Sequence, residues 1–152
     1  MPTKRRKRLA EKYPPSEPCS CPVCVSYCRR PGWWTVAEAA SAIEAGYAGR
    51  MMLEISPDRS HGVLSPAFKG CELQFASEGF AAQGCTFLKD GLCELHGSGL
   101  MPLECHFCHH DRPGQGPRCH ADIGKDWNTA AGRALVVHWS DLTDFWSRMR
   151  KI

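Results

Sequence analysis

Apolar residues occur along this 152-residue chain in short runs broken by glycine, proline and charge. The first readable element is Thr35-Val-Ala-Glu38, which has the form of a helix-capping box and predicts a helix from about Val36 to Ala45, with Gly46 as its stop. Met51 to Ile55 is apolar enough for a buried strand or a short helical turn, and the pattern alone does not separate the two. Gly62 to Phe68 and Glu72 to Ala76 read as brief strands or loops. Cys85 to Leu88, the turn Lys89-Asp-Gly91 and Leu92 to His96 have the pattern of a tight hairpin, which brings Cys85 and Cys93 close together. Pro102 suits the first turn of a helix running through His109. From Asp122 to Trp139 the apolar spacing is that of an amphipathic helix, and Ser140 is a candidate cap for another. Trp127, Trp139, Phe145 and Trp146 fall at helical spacing and are read as core. The elements together predict a small α+β domain of short strands, a hairpin and several helices.

Residues 1–18 lack apolar periodicity and end in Pro14-Pro15-Ser-Glu-Pro18, which predicts a basic, disordered arm before a domain at 19–152. Residues 1–12 hold six Lys/Arg and one acidic residue, leaving 13 basic against 15 acidic residues in the remainder. A short terminal run of this kind is ordinarily a solvated end, although it could touch phosphates. No apolar stretch follows it that could form a signal core or a membrane span, so the expectation is a cytoplasmic protein with no membrane partner.

That compartment bears on the ten cysteines, because reducing conditions favour metal ligation over disulfides. Two groups stand out. One is Cys85-x7-Cys93-x11-Cys105-x2-Cys108, followed by His109 and His110; the other is Cys21-x2-Cys24-x3-Cys28. Thiolates at two-residue spacing allow one turn to present two sulfurs to one ion, and a helix would set Cys105 and Cys108 on one face. Cys19 and Cys71 fit no ligand spacing and read as buried or spare thiols. His96, His106 and His120 lie near the cysteine region in sequence, whereas His61 and His138 read as surface or satisfied core residues.

The run Cys85-Thr-Phe-Leu-Lys-Asp-Gly-Leu-Cys93-Glu-Leu-His96, followed by Pro102-Leu-Glu-Cys105, resembles the YkgJ-type cysteine-cluster proteins, described as zinc- or iron-chelating domains. The resemblance spans about Cys21 to Cys108 and implies ligand roles for Cys21, Cys24, Cys28, Cys85, Cys93 and Cys105. Cys108 is added from spacing alone. Three departures stand out: Tyr27-Cys28 replaces a cysteine pair, and Met101 and His106 replace arginines flanking the proline–cysteine element. A related cluster in flagellin lysine methylases is associated with iron–sulfur chemistry.

Seven thiolates exceed the four ligands of one structural zinc. Either two zinc sites draw on them together with a histidine such as His109, or one [4Fe–4S] cluster uses four, and soft ligation with few nearby carboxylates tips the balance to iron–sulfur. Arg29, Arg30 and Arg112 could offset the negative charge of such a centre. Cys105-His-Phe-Cys108-His109 also fits the haem-attachment pattern C-x2-C-H, but that chemistry belongs with export. A thioredoxin-like role lacks its strand–helix context, and a cysteine nucleophile beside His109 or His110 is less natural than a ligand among so many thiols. The function expected is metal binding with a structural, redox or accessory role. The alternatives are a redox enzyme or accessory subunit using the cluster, with a protein partner, and a zinc-stabilised nucleic-acid binder using the basic arm. No nucleotide-binding glycine motif is present.

Overall fold

The computed structural model describes residues 31–95, 97–107 and 116–150, together forming an α+β arrangement of helices and two two-stranded antiparallel sheets. The arm at 1–18, the upstream cysteines Cys21, Cys24 and Cys28, and Cys108 with His109, His110 and Arg112 lie outside the described residues.

Helix α1 spans Val36–Glu44. Its start is the box expected from the sequence: the Glu38 amide donates to Thr35 Oγ1 at 3.1 Å and the Thr35 amide to Glu38 Oε1 at 2.9 Å. Ala45 caps the other end, and Gly46 leaves the helix at φ 98°, a left-handed conformation that costs glycine little. A 3₁₀ turn at Ala48–Arg50 leads into strand β1, Met51–Ile55, so the ambiguous apolar run is a strand. It pairs with β2, Gly62–Pro66, in the register Met51 with Pro66 through Ile55 with Gly62. The other side of β1 is occupied by residues 73–76, where Leu53 donates to Gln74 O and accepts from the Ala76 amide.

The second sheet is the predicted hairpin in reduced form, two-residue strands β3, Leu88–Lys89, and β4, Leu92–Cys93. Asp90 at φ 51° and Gly91 at φ 81° make the connection, the positive-φ pair that a two-residue turn demands. Its base is stitched to the segment after β2, where Thr86 N donates to Ala67 O and Lys69 N to Gly84 O, each at 2.8 Å. Arg50 holds it from the side: Nε reaches Thr86 Oγ1 at 3.0 Å, Nη2 reaches Thr86 O at 2.6 Å, and the guanidinium carbon lies 4.4 Å from the centre of the Phe87 ring.

The C-terminal region forms three helices, α2 (Gly116–Trp127), α3 (Ala130–Leu142) and α4 (Phe145–Arg150). Thr129 caps α3 by accepting from the Gly132 amide. Ser140 is not a cap: it is buried inside α3, and its hydroxyl donates to Val136 O one turn back at 2.7 Å, which satisfies it without ending the helix. Gly132 permits the close crossing of α2 and α3, since a Cβ there would stand 2.3 Å from Trp127 O. Trp34, Trp127 and Trp139 are fully buried, and each indole N–H is satisfied, by Leu100 O, Trp34 O and Ala48 O respectively. Phe145 is also core, but Trp146 is 51% exposed and lies over Phe75 and Phe145 at the surface. The helical spacing therefore placed three of the four aromatics in the interior.

Candidate metal centre

Five cysteines fall among the described residues. Cys85, Cys93, Cys105 and Cys119 belong to the main core, whereas Cys71 is buried in a separate small cluster with Met52, Ala67 and Phe68. The Cys71 thiol donates to Phe75 O at 3.4 Å, and burial pushes its pKa up, so it is a packed thiol rather than a thiolate.

Each of the three predicted ligands within the described residues is positioned by a different element. Cys85 is buried and bridges Phe68 across the junction between β2 and the hairpin; its carbonyl accepts from the Leu88 amide. Cys93 ends β4 opposite Leu88, and its sulfur accepts from the Leu95 amide at 3.4 Å. Cys105 lies in a 3₁₀ turn, Leu103–Phe107, where a helix through His109 was expected; Pro102 precedes the turn, and its carbonyl accepts from the Cys105 amide.

The turn carrying Cys105 is fastened on two sides. Glu38 Oε1, already closing the capping box, also accepts from the Leu103 amide at 3.1 Å. Burial raises the Glu38 pKa above its ordinary value, an effect opposed by the hydrogen bonds from Thr35 and Leu103. On the other side, Gly32 and Trp33 lie against the Cys105 turn. Trp33 N donates to Glu104 Oε1 and Glu104 N to Trp33 O, each at 3.3 Å. A Cβ on Gly32 would stand 2.6 Å from Cys105 Sγ and 2.9 Å from its amide nitrogen, so only a residue without a side chain fits against this thiol.

Glu104 has a second partner, His120 on α2, whose Nδ1 lies 2.5 Å from Oε2. The His120 ring lies against that of Trp33, with centroids 3.8 Å apart and a tilt of 32°. Trp33 Nε1 in turn donates to Glu54 Oε2 on β1. Cys119 precedes His120 and is fully buried. Cys119 has no second cysteine two or three residues away; its signal in the sequence is that Ile123 and Trp127 follow at helical intervals on the same buried face.

Among the described residues, no three Cys, His, Asp or Glu side chains lie close enough together to hold an ion. Cys85, Cys93 and Cys105 share a core but are not gathered into a group that could hold an ion. His61 is engaged by Ser60 Oγ in the β1–β2 loop, and His138 is exposed on α3, consistent with framework roles. Among the described residues, no helix is long and apolar enough to cross a membrane. Comparison of the chain with protein-family models, with curated proteins and with solved structures gave no match.

Proposed function

We propose that this chain is a metal-binding protein in which cysteines of both groups, Cys21, Cys24 and Cys28 with Cys85, Cys93, Cys105 and Cys108, hold zinc or an iron–sulfur cluster in a structural, redox or accessory role. The observation that carries the reading is the contact of Gly32 with Cys105 Sγ. Cys28 precedes Gly32 by four residues, a stretch that spans at most about 14 Å when fully extended. The upstream group is thereby tethered within that reach of a thiol of the downstream group, and at Gly32 no side chain fits between the chain and that thiol.

Two further features support it. The Leu95 amide aimed at Cys93 Sγ is a contact of the kind that metal-bound sulfurs receive. The three predicted ligands among the described residues sit in very short elements: a two-residue strand, a single bridge and one 3₁₀ turn. Such elements have little stability alone, and coordination would supply what their packing lacks. The likeness of the Cys85–Cys105 run to YkgJ-type cysteine-cluster proteins points the same way.

The test is a Cys93→Ser/Cys105→Ser protein compared with wild type, both purified without oxygen. Loss of bound metal together with a lower melting temperature is expected. Full metal content with an unchanged melting temperature would overturn the proposal.

A further inference from the structure

Helix α3 has little of the charge that a helix facing only water carries. Its inner side, with Gly132, Trp139 and Ser140, is buried, and the helix packs on α1, α2, α4 and β2. The outer side of such a helix is ordinarily charged. Here Val137 is 59% exposed, the highest value among the large apolar side chains described, and Leu142 is 57% exposed. Ala130 and Ala134 are exposed as well, and in 13 residues the acidic and basic side chains are Asp141 and Arg133 alone. Apolar residues scattered singly over a surface need no partner, but several gathered on one outward helix face mark a surface that another protein covers.

The two charges are placed symmetrically about that face. At 3.6 residues per turn, Arg133 and Asp141 stand about 6 Å before and after Val137 along the axis, and about 40° to either side of it. Ala130 and Ala134 fall about 20° and 60° round from Val137, and small side chains at a contact let a second helix approach closely. Turning α3 end for end about Val137 exchanges the two charged positions. A second copy laid antiparallel therefore sets Arg133 of each chain against Asp141 of the other, whereas a parallel copy sets like charges together. Neither charge is matched within the chain: among the described residues Asp141 pairs with no cation, and Arg133 Nη1 donates to a neutral acceptor, Asn128 Oδ1, at 3.0 Å.

We propose that α3 is a dimerisation surface whose occupant is a second copy of this chain, packed antiparallel about a two-fold axis at Val137, with two Arg133–Asp141 pairs flanking an apolar centre. The inference does not depend on the metal-binding reading. A helix of this length is about 20 Å long, so the contact is at the small end of specific interfaces and the dimer is weak and concentration-dependent.

The test is sedimentation velocity on the full chain, purified without oxygen and kept reduced so that thiol cross-links do not contribute, over about 1–300 µM, the range of a weak complex. Wild type is expected to pass from monomer to dimer across that range, with less dimer at high salt. Val137→Glu, Arg133→Asp and Asp141→Arg should each weaken the dimer at least ~10-fold, because every substitution acts twice across a two-fold axis. All three positions are exposed, and the two charge reversals also suit the helix dipole, so the wild-type fold is retained. In a mixture of Arg133→Asp with Asp141→Arg both pairs are again opposite in sign, and the heterodimer should form at wild-type concentrations although neither variant dimerises there alone. A wild-type chain that stays monomeric throughout, a dimer that Val137→Glu leaves intact, or a mixture that fails to restore the dimer overturns the proposal.

Discussion

Gly32→Ala is the sharpest single perturbation of the packing around the Cys105 thiol. The added methyl would stand 2.6 Å from Cys105 Sγ, 2.9 Å from the Cys105 amide nitrogen and 3.2 Å from the Glu104 carbonyl carbon. Favourable heavy-atom contacts lie at about 3.5–4.0 Å, so the overlap approaches an ångström, and two of the three atoms are backbone that cannot rotate aside. The 3₁₀ turn must move as a unit, against the Glu38–Leu103 and Trp33–Glu104 hydrogen bonds that fasten it. Overpacking of this kind costs about 1–3 kcal/mol. With a urea slope of about 2 kcal/mol per molar, a loss of about 2 kcal/mol lowers the unfolding midpoint by about 1 M. Displacing Cys105 should also weaken zinc or iron binding at least ~10-fold, equivalent to about 1.4 kcal/mol. Gly49→Ala is the matched control: nothing lies within 4 Å of its Cβ position, so its stability should change by no more than about 1 kcal/mol, with unchanged metal affinity. Gly32→Ala protein with wild-type midpoint and wild-type metal affinity would refute the packing argument.

Two other perturbations separate the supports of the site. Glu38→Ala removes the acceptor for the Thr35 and Leu103 amides and should cost about 1–3 kcal/mol, whereas Glu38→Gln retains an acceptor and should cost less. Because burial raises the folded Glu38 pKa above its ordinary 4.5, the native state holds this proton more tightly than the unfolded chain; the associated stability is present below pH 4.5 and is lost as pH rises through the folded pKa. Urea titrations across acid to neutral pH should show wild type losing stability relative to Glu38→Gln over that interval, and parallel curves would contradict the assignment. Gly91→Ala places an L side chain at φ 81° and should cost about 1–2 kcal/mol; since the turn sets the register of Cys93, metal affinity should fall with it, and a stable variant with full affinity would detach the hairpin from the site.

The features legible in the sequence are those whose partners are near in the chain. The Thr35–Glu38 box and the Asp90-Gly91 turn depend on residues at most three apart, and both form as their spacing requires. Helix α1 therefore ends where Gly46 indicates. Long-range geometry was not legible. Nothing near Glu38 announces that the same oxygen also receives the Leu103 amide, 65 residues away, and Gly32 looks like an ordinary turn glycine until the Cys105 thiol is placed against it. Cys119 escaped for the same reason, and the contacts of His120, singled out in the sequence only by its nearness to the cysteine region, come from the packing of α2 against the Cys105 turn. Ser140 misled because a hydroxyl can cap a helix or bond back to the preceding turn, and burial selected the second. Trp146 follows Phe145 directly; on a short helix with one buried face, only one of two adjacent aromatics can point inward.

The central claim is that these cysteines hold a metal centre, and the most direct measurement is elemental analysis with an absorption spectrum on wild-type protein purified without oxygen. Metal bound in stoichiometric amount is expected: iron with acid-labile sulfide in a brown protein, or one or two zinc ions in a colourless one, with the melting temperature falling after chelation. Protein that carries neither iron nor zinc, and melts at the same temperature with or without chelator, would contradict it.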